Sequence, residues 1–191
     1  MLTSPHPDLA YNPAEFWATV GDWYEGTCDL DGYRVQEDAI QAVIEQLEWE
    51  TVLDLGCCFG RLGTMIRRFR PDARYHGVDI NLDLLLSASA HVPNATFWHS
   101  AILDFHPVNT FDLVITAECL MHQPVKDIAV IFESMFWWSN RWVLNCDWCQ
   151  PGAEGNHWNI SHDYPALYGK RLRSTTPAGI PNQSIFLAEA T

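Results

Sequence analysis

The sequence is poor in basic residues and has no long apolar run. Only 11 of its 191 residues are Lys or Arg, against 24 Asp or Glu, which gives a formal net charge of −13. Bare nucleic acid needs a basic face for its phosphates, so we expect no nucleic-acid partner. No window approaches the roughly 18 apolar residues of a membrane span, and no basic segment precedes an apolar run at the start. We expect a cytoplasmic protein without membrane contact.

Disulfide and metal frameworks are also missing. Cys146 and Cys149 form a Cys-x-x-Cys that leaves a strand, whereas redox pairs of this spacing open a helix. No spacing of His, Cys or Asp matches a zinc pattern, and we predict no metal site. The cysteines include an adjacent pair and several within apolar runs, so we expect reduced thiols at Cys28, Cys57, Cys58, Cys119, Cys146 and Cys149.

From position 51 onward, short apolar runs alternate with longer helical patterns. Apolar strands without polar alternation, separated by helices, are typical of a parallel sheet covered on both faces. The predicted strands of this region are Thr51–Leu55, Tyr75–Asp79, Thr96–His99, Asp112–Ala117 and Trp142–Cys146, and the predicted helices are Arg61–Phe69, Leu82–His91 and Val125–Trp138.

The tail of the chain changes character. A helical turn at Tyr164–Leu167 is followed by two strand patterns, Arg171–Thr175 and Ser184–Glu189, with only a turn rich in Pro and Gly between them. Strands joined in this way pair as an antiparallel hairpin, which we place at one end of the sheet.

Three glycines follow the first strand, in Thr51-Val-Leu-Asp-Leu-Gly-Cys-Cys-Phe-Gly-Arg-Leu-Gly63. In a doubly wound sheet, ligands bind beyond the carboxyl ends of the strands where the strand order reverses. Glycine lets backbone N–H groups approach a ligand, and the next helix presents its positive end. Cys58 stands where the dinucleotide fingerprint needs its second glycine, and the lysine of a P-loop is missing. We infer a nucleotide-like ligand without a pyrophosphate.

An acidic residue, Asp79, ends the second strand about twenty residues after the glycine turn. A carboxylate at this place accepts both hydroxyls of a ribose. The alternative is that Asp79 only caps the helix that begins near Asn81. The glycine turn and the strand-terminal acid together favour a nucleoside.

Four motifs, VLDLGCCFGRLG, YHGVDIN, FDLVITAECLMHQP and WVLNCDW, resemble in order and spacing those of class I S-adenosylmethionine-dependent methyltransferases, over roughly residues 50–147. The resemblance implies an α/β fold: a three-layer αβα sandwich with a doubly wound, mostly parallel seven-stranded sheet and a C-terminal antiparallel hairpin. It also implies S-adenosyl-L-methionine as cofactor, with S-adenosyl-L-homocysteine as product. Neither compound has a phosphate, which agrees with Cys58.

Carried over by position, the resemblance also implies a cofactor site. Asp54 and Glu118 would hold the methionine ammonium, Asp79 would take the ribose and Ile80 would lie against the adenine. The family often has an aspartate where this chain has Ser100. The adenine contact is therefore made by Ser100 or by the backbone that follows it, or there is no charged contact. The complete implied set is Asp54, Gly56, Cys57, Cys58, Gly60, Asp79, Ile80, Ser100, Ala101, Ile102 and Glu118.

Methyl transfer from a sulfonium needs alignment and, for hydroxyl or amine acceptors, a base. His122 either faces the methyl group or packs under the helix that follows it. The segment from Gly155 to Tyr164 follows the fifth strand, on the rim where acceptors bind in this fold, and is either a catalytic loop or a polar loop that anchors the hairpin. Our catalytic candidates are His122, His157, His162 and Tyr164.

The length and the 48% hydrophobic content predict a single domain over residues 1–191. Two helices are predicted ahead of the core, from Pro13 to about Tyr24 and from Tyr33 to Leu47. This aromatic segment either closes over the site, as in many members of the family, or packs on the sheet as amphipathic helices. We divide the domain into a helical cap, residues 1–49, and a Rossmann-like core, residues 50–191.

The sequence therefore predicts a methyltransferase that acts on an oxygen or nitrogen atom of a small molecule. One alternative is a non-catalytic module that binds the cofactor or a partner chain; Ser100 and the lack of an acceptor-site motif favour it. Another is an oxidoreductase that uses a nicotinamide dinucleotide, which Cys58 disfavours sterically. The acceptor, the pathway and the oligomeric state stay open.

Overall fold

Seven strands form one sheet in the computed structural model, which describes residues 12–20, 30–149 and 159–190. Their order across the sheet is β3-β2-β1-β4-β5-β7-β6. The first five strands are parallel, and β7 runs antiparallel to both β5 and β6. This confirms the predicted doubly wound sheet with its terminal hairpin. The strands are β1 (Thr51–Leu55), β2 (Arg74–Asp79), β3 (Thr96–His99), β4 (Phe111–Ala117), β5 (Ser139–Trp148), β6 (Leu172–Pro177) and β7 (Gln183–Glu189).

Helices cover both faces of the sheet, as strands that are apolar on both sides require. One apolar core packs α5 and α6 against the sheet, and a second packs α2 and α3 against the opposite face. None of the described helices combines the length and the apolar character that crossing a membrane requires. The described α-helices are α1 (Pro13–Thr19), α2 (Leu30–Ile44), α3 (Arg61–Phe69), α4 (Leu82–His91), α5 (Val125–Trp138) and α6 (Tyr164–Tyr168).

Some element boundaries differ from the predicted ones. Helix α1 ends at Thr19 because Val20 is extended, whereas we predicted an end near Tyr24, and residues 21–29 lie outside the described part of the chain. Helix α2 begins and ends three residues earlier than predicted. Strand β5 is longer at both ends: it begins at Ser139, which pairs with Phe111 of β4, and its antiparallel pairing with β7 continues to Trp148 opposite Gln183. The division into a cap and a core stays a prediction.

The strand order reverses between β1 and β4. From β1 the chain goes outward to β2 and β3, then returns to place β4 on the other side of β1. Crossover connections therefore leave this point in opposite directions and open a crevice beyond the carboxyl ends of the two strands. The glycine turn after β1 lies at this crevice.

Candidate functional site

The turn after β1 needs a glycine at its first position. Gly56 has φ +72, and a Cβ built there would lie 2.5 Å from Cys119 Sγ. Cys58 also has a positive φ, +51, which side chains rarely adopt and which often marks a functional site. Gly60, with φ +84, is the N-cap of α3. The turn therefore keeps its backbone bare at Gly56 and starts a helix at Gly60.

Backbone N–H groups hold the Asp79 carboxylate at the end of β2. The amide of Cys58 donates to Oδ2 and the amide of Asn81 to Oδ1, both at 2.8 Å. Burial nevertheless raises the pKa of Asp79. The side chain that caps α4 is that of Asn81, which accepts from the amide of Leu84 at 3.0 Å. Asp79 thus links the loop after β1 to the loop after β2. The side-chain cap of α4 is Asn81 and not Asp79.

Asp54 lies on β1 and is almost completely buried. The hydroxyl of Tyr75, on β2, donates to Asp54 Oδ2 at 2.5 Å. Burial raises the pKa of Asp54 to about 7, although the Tyr75 hydrogen bond and the charge of Arg61 lower it. This carboxyl group therefore titrates close to neutral pH.

Arg61 was missed by the sequence reasoning. Its guanidinium lies 4.4 Å over the ring of Tyr33, and its Nη1 is 3.7 Å from the Glu37 carboxylate. That Nη1 is buried and makes no hydrogen bond with any described residue. Arg61 is the first residue of α3, where the positive end of the helix dipole disfavours a cation. An arginine at the first position of a predicted helix is therefore the feature of the sequence that could have indicated Arg61.

One cavity of about 640 Å³, a size typical of small-molecule sites, is bordered by Asp54, Arg61, Asp79 and the glycine turn. Its wall contains every implied cofactor residue except Gly60, together with His122 and Arg61. Ser100 is part of this wall, and its hydroxyl donates to the Ala101 carbonyl at 2.9 Å. The sequence-derived set is thus brought together almost completely around one space.

His122 is the catalytic candidate that borders this cavity. It ends the 3-10 turn Leu120–His122, and its ring lies 4.6 Å from that of Trp17 on α1. The Met121 amide donates to Asp147 Oδ1 at 3.3 Å, and the Met121 carbonyl accepts from the Ile160 amide at 2.7 Å. The turn that presents His122 is therefore anchored on both sides.

The other catalytic candidates lie elsewhere. His162 Nε2 is 3.1 Å from the carbonyl oxygens of both Leu120 and Gln123, so it carries the proton and clamps the turn of His122. Tyr164 is completely buried between Phe132 and Phe186, away from the cavity wall. His157 lies outside the described residues.

Three of the cysteines, Cys57, Cys58 and Cys119, border the cavity. The cysteines of the described ranges are all free, and burial raises the pKa of Cys57 and Cys119 well above the usual range of a thiol. Among residues 12–20, 30–149 and 159–190, no group of three His, Cys, Asp or Glu could hold a metal ion.

Residues 52–139 match a family model described as a methyltransferase domain. No curated protein matches the sequence. Solved structures resemble the fold at low sequence identity. The magnesium protoporphyrin IX methyltransferase of Synechocystis PCC 6803, with bound S-adenosylhomocysteine, is 15% identical with a TM-score of 0.75, covering 93% of this chain and 98% of that one.

Two further structures have the same fold. The DhpI complex with S-adenosylhomocysteine is 15% identical with a TM-score of 0.75, covering 92% of this chain and 93% of its own. The N-methyltransferase NodS of Bradyrhizobium japonicum WM9, with the same ligand, is 13% identical with a TM-score of 0.69, covering 94% and 97%. The resemblance recognised from the motifs therefore agrees with both comparisons: residues 52–139 match the model of a methyltransferase domain, and the chain has the fold of the class I S-adenosylmethionine-dependent methyltransferases.

Proposed function

We propose that this protein transfers the methyl group of S-adenosyl-L-methionine to an oxygen or nitrogen atom of a small molecule. The observation that carries the proposal is the cavity beyond β1 and β4, whose wall joins a bare backbone turn to three carboxylates and the guanidinium of Arg61. A nucleoside linked to a zwitterionic amino acid requires this combination of groups.

The residues present fit such a cofactor. A Cβ at Gly56 would collide with the Cys119 side chain, so only a glycine lets this turn pack against the segment after β4 at the edge of the cavity. Arg61 borders the cavity, and its guanidinium suits a carboxylate. Asp54 and Glu118 suit the ammonium of the same amino acid. Asp79, already oriented by two backbone amides, suits the ribose hydroxyls.

The adenine end is assigned to the opposite part of the cavity, bordered by Ile80 and by Ser100 to Ile102. No aspartate stands at position 100. The Ser100 hydroxyl is engaged with a neighbouring carbonyl, so backbone groups and apolar contacts are left to recognise the base.

The bound cofactor supplies an activated methyl group, so the chain mainly aligns the acceptor and excludes water. Trp17 and His122 form the wall of the cavity on the side of α1. An imidazole there can take the proton of a hydroxyl or amine acceptor. We assign this task to His122. His162 holds its turn in place, and Tyr164, buried in the core, is left out of the catalytic set.

The relatives support a small-molecule acceptor. One is named a magnesium protoporphyrin IX methyltransferase and another an N-methyltransferase. Their folds agree over most of this chain although their names indicate different acceptors. The fold is therefore compatible with different acceptors, and a direct assay decides between oxygen and nitrogen.

Two measurements test the proposal. Calorimetry should detect S-adenosylhomocysteine binding, and pools of small hydroxyl and amine compounds should yield S-adenosylhomocysteine from S-adenosylmethionine. His122→Gln should keep the ligand affinity within about twofold and lose about 100-fold or more in turnover, the usual contribution of a general base. His106→Gln, an exposed position, is the matched control. Absence of binding refutes the proposal, and binding without turnover across broad pools supports a non-catalytic module.

A further inference from the structure

Four side chains from distant parts of the sequence form an unbroken line of hydrogen bonds beside the cavity. Arg61 Nη2 donates to Gln36 Oε1 at 2.7 Å. Gln36 Nε2 donates to Gln183 Oε1, and Gln183 Nε2 donates to Glu118 Oε1, both at 2.5 Å. We call the two glutamine side chains, Gln36 and Gln183, the amide relay.

The direction of this line is fixed at both ends. A guanidinium can only donate, and a carboxylate can only accept. Each glutamine between them offers one acceptor oxygen and one donor nitrogen, so both amides have a single orientation that satisfies the whole line. Hydrogen bonds aligned in this way polarise one another between a cation and an anion. The amide relay therefore connects Arg61 to Glu118 electrostatically as well as sterically.

The two ends of the line border the cavity, whereas Gln36 is completely buried behind them. Arg61 and Glu118 are the groups that we assign to the carboxylate and the ammonium of the cofactor. Glu118 also has φ +55, which a non-glycine residue adopts only when its surroundings hold it there. The amide relay thus fixes the spacing of two opposite charges that face one ligand.

A purely structural explanation is that the relay attaches α2 to the hairpin. Packing already does this without the amides: a Cβ at Gly179, in the hairpin turn, would lie 2.4 Å from Val35 Cγ1 on α2. A hydrogen bond contributes only about 1 kcal/mol net to stability, so the amides add little to this packing. Retaining them at an interface that is already tight calls for another role.

We propose that Gln36 and Gln183 are positioning residues for the amino-acid end of the cofactor. They hold Arg61 and Glu118 in place beside the cavity before the ligand arrives. This inference rests on the proposed function. It predicts that the relay affects the amino-acid part of the ligand and leaves the nucleoside part unaffected.

The test compares two ligands that share the nucleoside. S-Adenosylhomocysteine carries the amino acid, and 5′-methylthioadenosine lacks it. Gln36→Met and Gln183→Met keep the side-chain size and remove the amide. Calorimetry should show about tenfold weaker binding of S-adenosylhomocysteine, the usual effect of losing a hydrogen bond to a charged group, with less than about twofold change for 5′-methylthioadenosine. The control is Gln41→Met, since Gln41 also lies on α2 but its amide bonds Glu45.

A further variant keeps the test decisive if the methionine variants do not fold. Gln36→Glu retains the acceptor for Arg61 but cannot donate to Gln183, which must then turn its carbonyl oxygen toward Glu118. The same selective loss is expected, and adding Gln183→Met should cause little further loss because the line is already broken.

Equal loss for both ligands, or no loss for either, overturns the inference and leaves the proposed function standing. Wild-type protein that binds neither ligand overturns the proposed function, and the inference with it.

Discussion

Replacing Tyr75 by Phe should change the pH dependence of cofactor binding. The Tyr75 hydroxyl donates to Asp54, whose pKa is about 7 because of burial. A hydrogen bond to a buried carboxylate is worth about 2 kcal/mol, and one pKa unit corresponds to about 1.4 kcal/mol. Removing the hydroxyl should therefore raise the pKa of Asp54 by about 1.5 units, to about 8.5.

The affinity for the cofactor depends on the fraction of Asp54 that is ionised, because only the ionised carboxylate binds the ammonium. At pH 7 this fraction falls from about one half to about 3%, so the affinity for S-adenosylhomocysteine should fall about 15-fold. At pH 9 both proteins are mostly ionised, and the difference should shrink to less than about twofold. The Phe ring keeps the packing of a residue that is 1% exposed.

Calorimetric titrations of both proteins from pH 6 to pH 9 measure the effect. 5′-Methylthioadenosine serves as the control ligand, because it senses Asp79 and the nucleoside end but has no ammonium. Asp54→Asn should bind S-adenosylhomocysteine weakly, and its affinity should vary with pH no more than the affinity for 5′-methylthioadenosine does. A loss in Tyr75→Phe that is the same at pH 7 and pH 9 would refute the coupling and indicate a packing defect.

Three further predictions follow from other groups at the site. Asp79→Ala should weaken both S-adenosylhomocysteine and 5′-methylthioadenosine about 100-fold in calorimetry, since two hydrogen bonds from the ribose to a carboxylate are lost; intact binding of either compound would contradict the ribose assignment. Gly56→Ala should lower the free energy of unfolding by about 1–3 kcal/mol in urea titrations, because its φ is +72 and the Cβ meets Cys119, and an unchanged midpoint would show that the turn relaxes freely. Asp147, completely buried, has a pKa raised to about 8 by burial, so the folded state keeps a proton that the unfolded state loses above about pH 4. The free energy of unfolding should then fall as the pH rises toward 8. Asp147→Asn should remove about 1.4 kcal/mol per pH unit of that fall between pH 5 and 7, and the similar contribution of Asp54 should remain. Urea unfolding of the wild type and the variant measures this, and parallel pH profiles of the two proteins would exclude the assignment.

The sequence predicted the parts of the site that follow from local geometry. A glycine turn after a buried strand and an acid at the end of the next strand meet in any doubly wound sheet, so Gly56 and Asp79 could be placed beside one ligand from spacing alone. The adjacent carboxylates, Asp54 and Glu118, came with the family motifs. In each case the residue lies within a few positions of a strand end, where the fold leaves little freedom.

The amide relay could not be predicted in this way. Gln36 and Gln183 are 147 positions apart, and each is an ordinary polar residue of its own element. Their contact depends on how the hairpin packs on α2, which no local pattern encodes. The pairing of Tyr75 with Asp54 has the same origin, since strand register brings together two strands that the sequence only shows separately.

Tyr164 illustrates why a cluster of reactive residue types can mislead. His162, Asp163 and Tyr164 are adjacent and looked like one catalytic group. In the structure the Asp163 carboxylate caps α6 by accepting from the Ala166 amide, while Tyr164 turns into the core and His162 binds backbone carbonyls. The direction in which these side chains point depends on where the five-residue helix α6 begins, and one sequence alone does not determine its first residue.

Burial of Asp54 also explains why the two ends of the cofactor should respond differently to pH. An ionised carboxyl group without a partner is costly in a buried site, so near neutrality Asp54 keeps a proton for part of the time. A ligand that brings an ammonium replaces that proton, and binding of the amino-acid end is therefore an exchange of one cation for another. The nucleoside end involves no such exchange at Asp54. A lower pH should consequently weaken binding of the complete cofactor more than binding of its nucleoside part, because protons compete with the ammonium for Asp54.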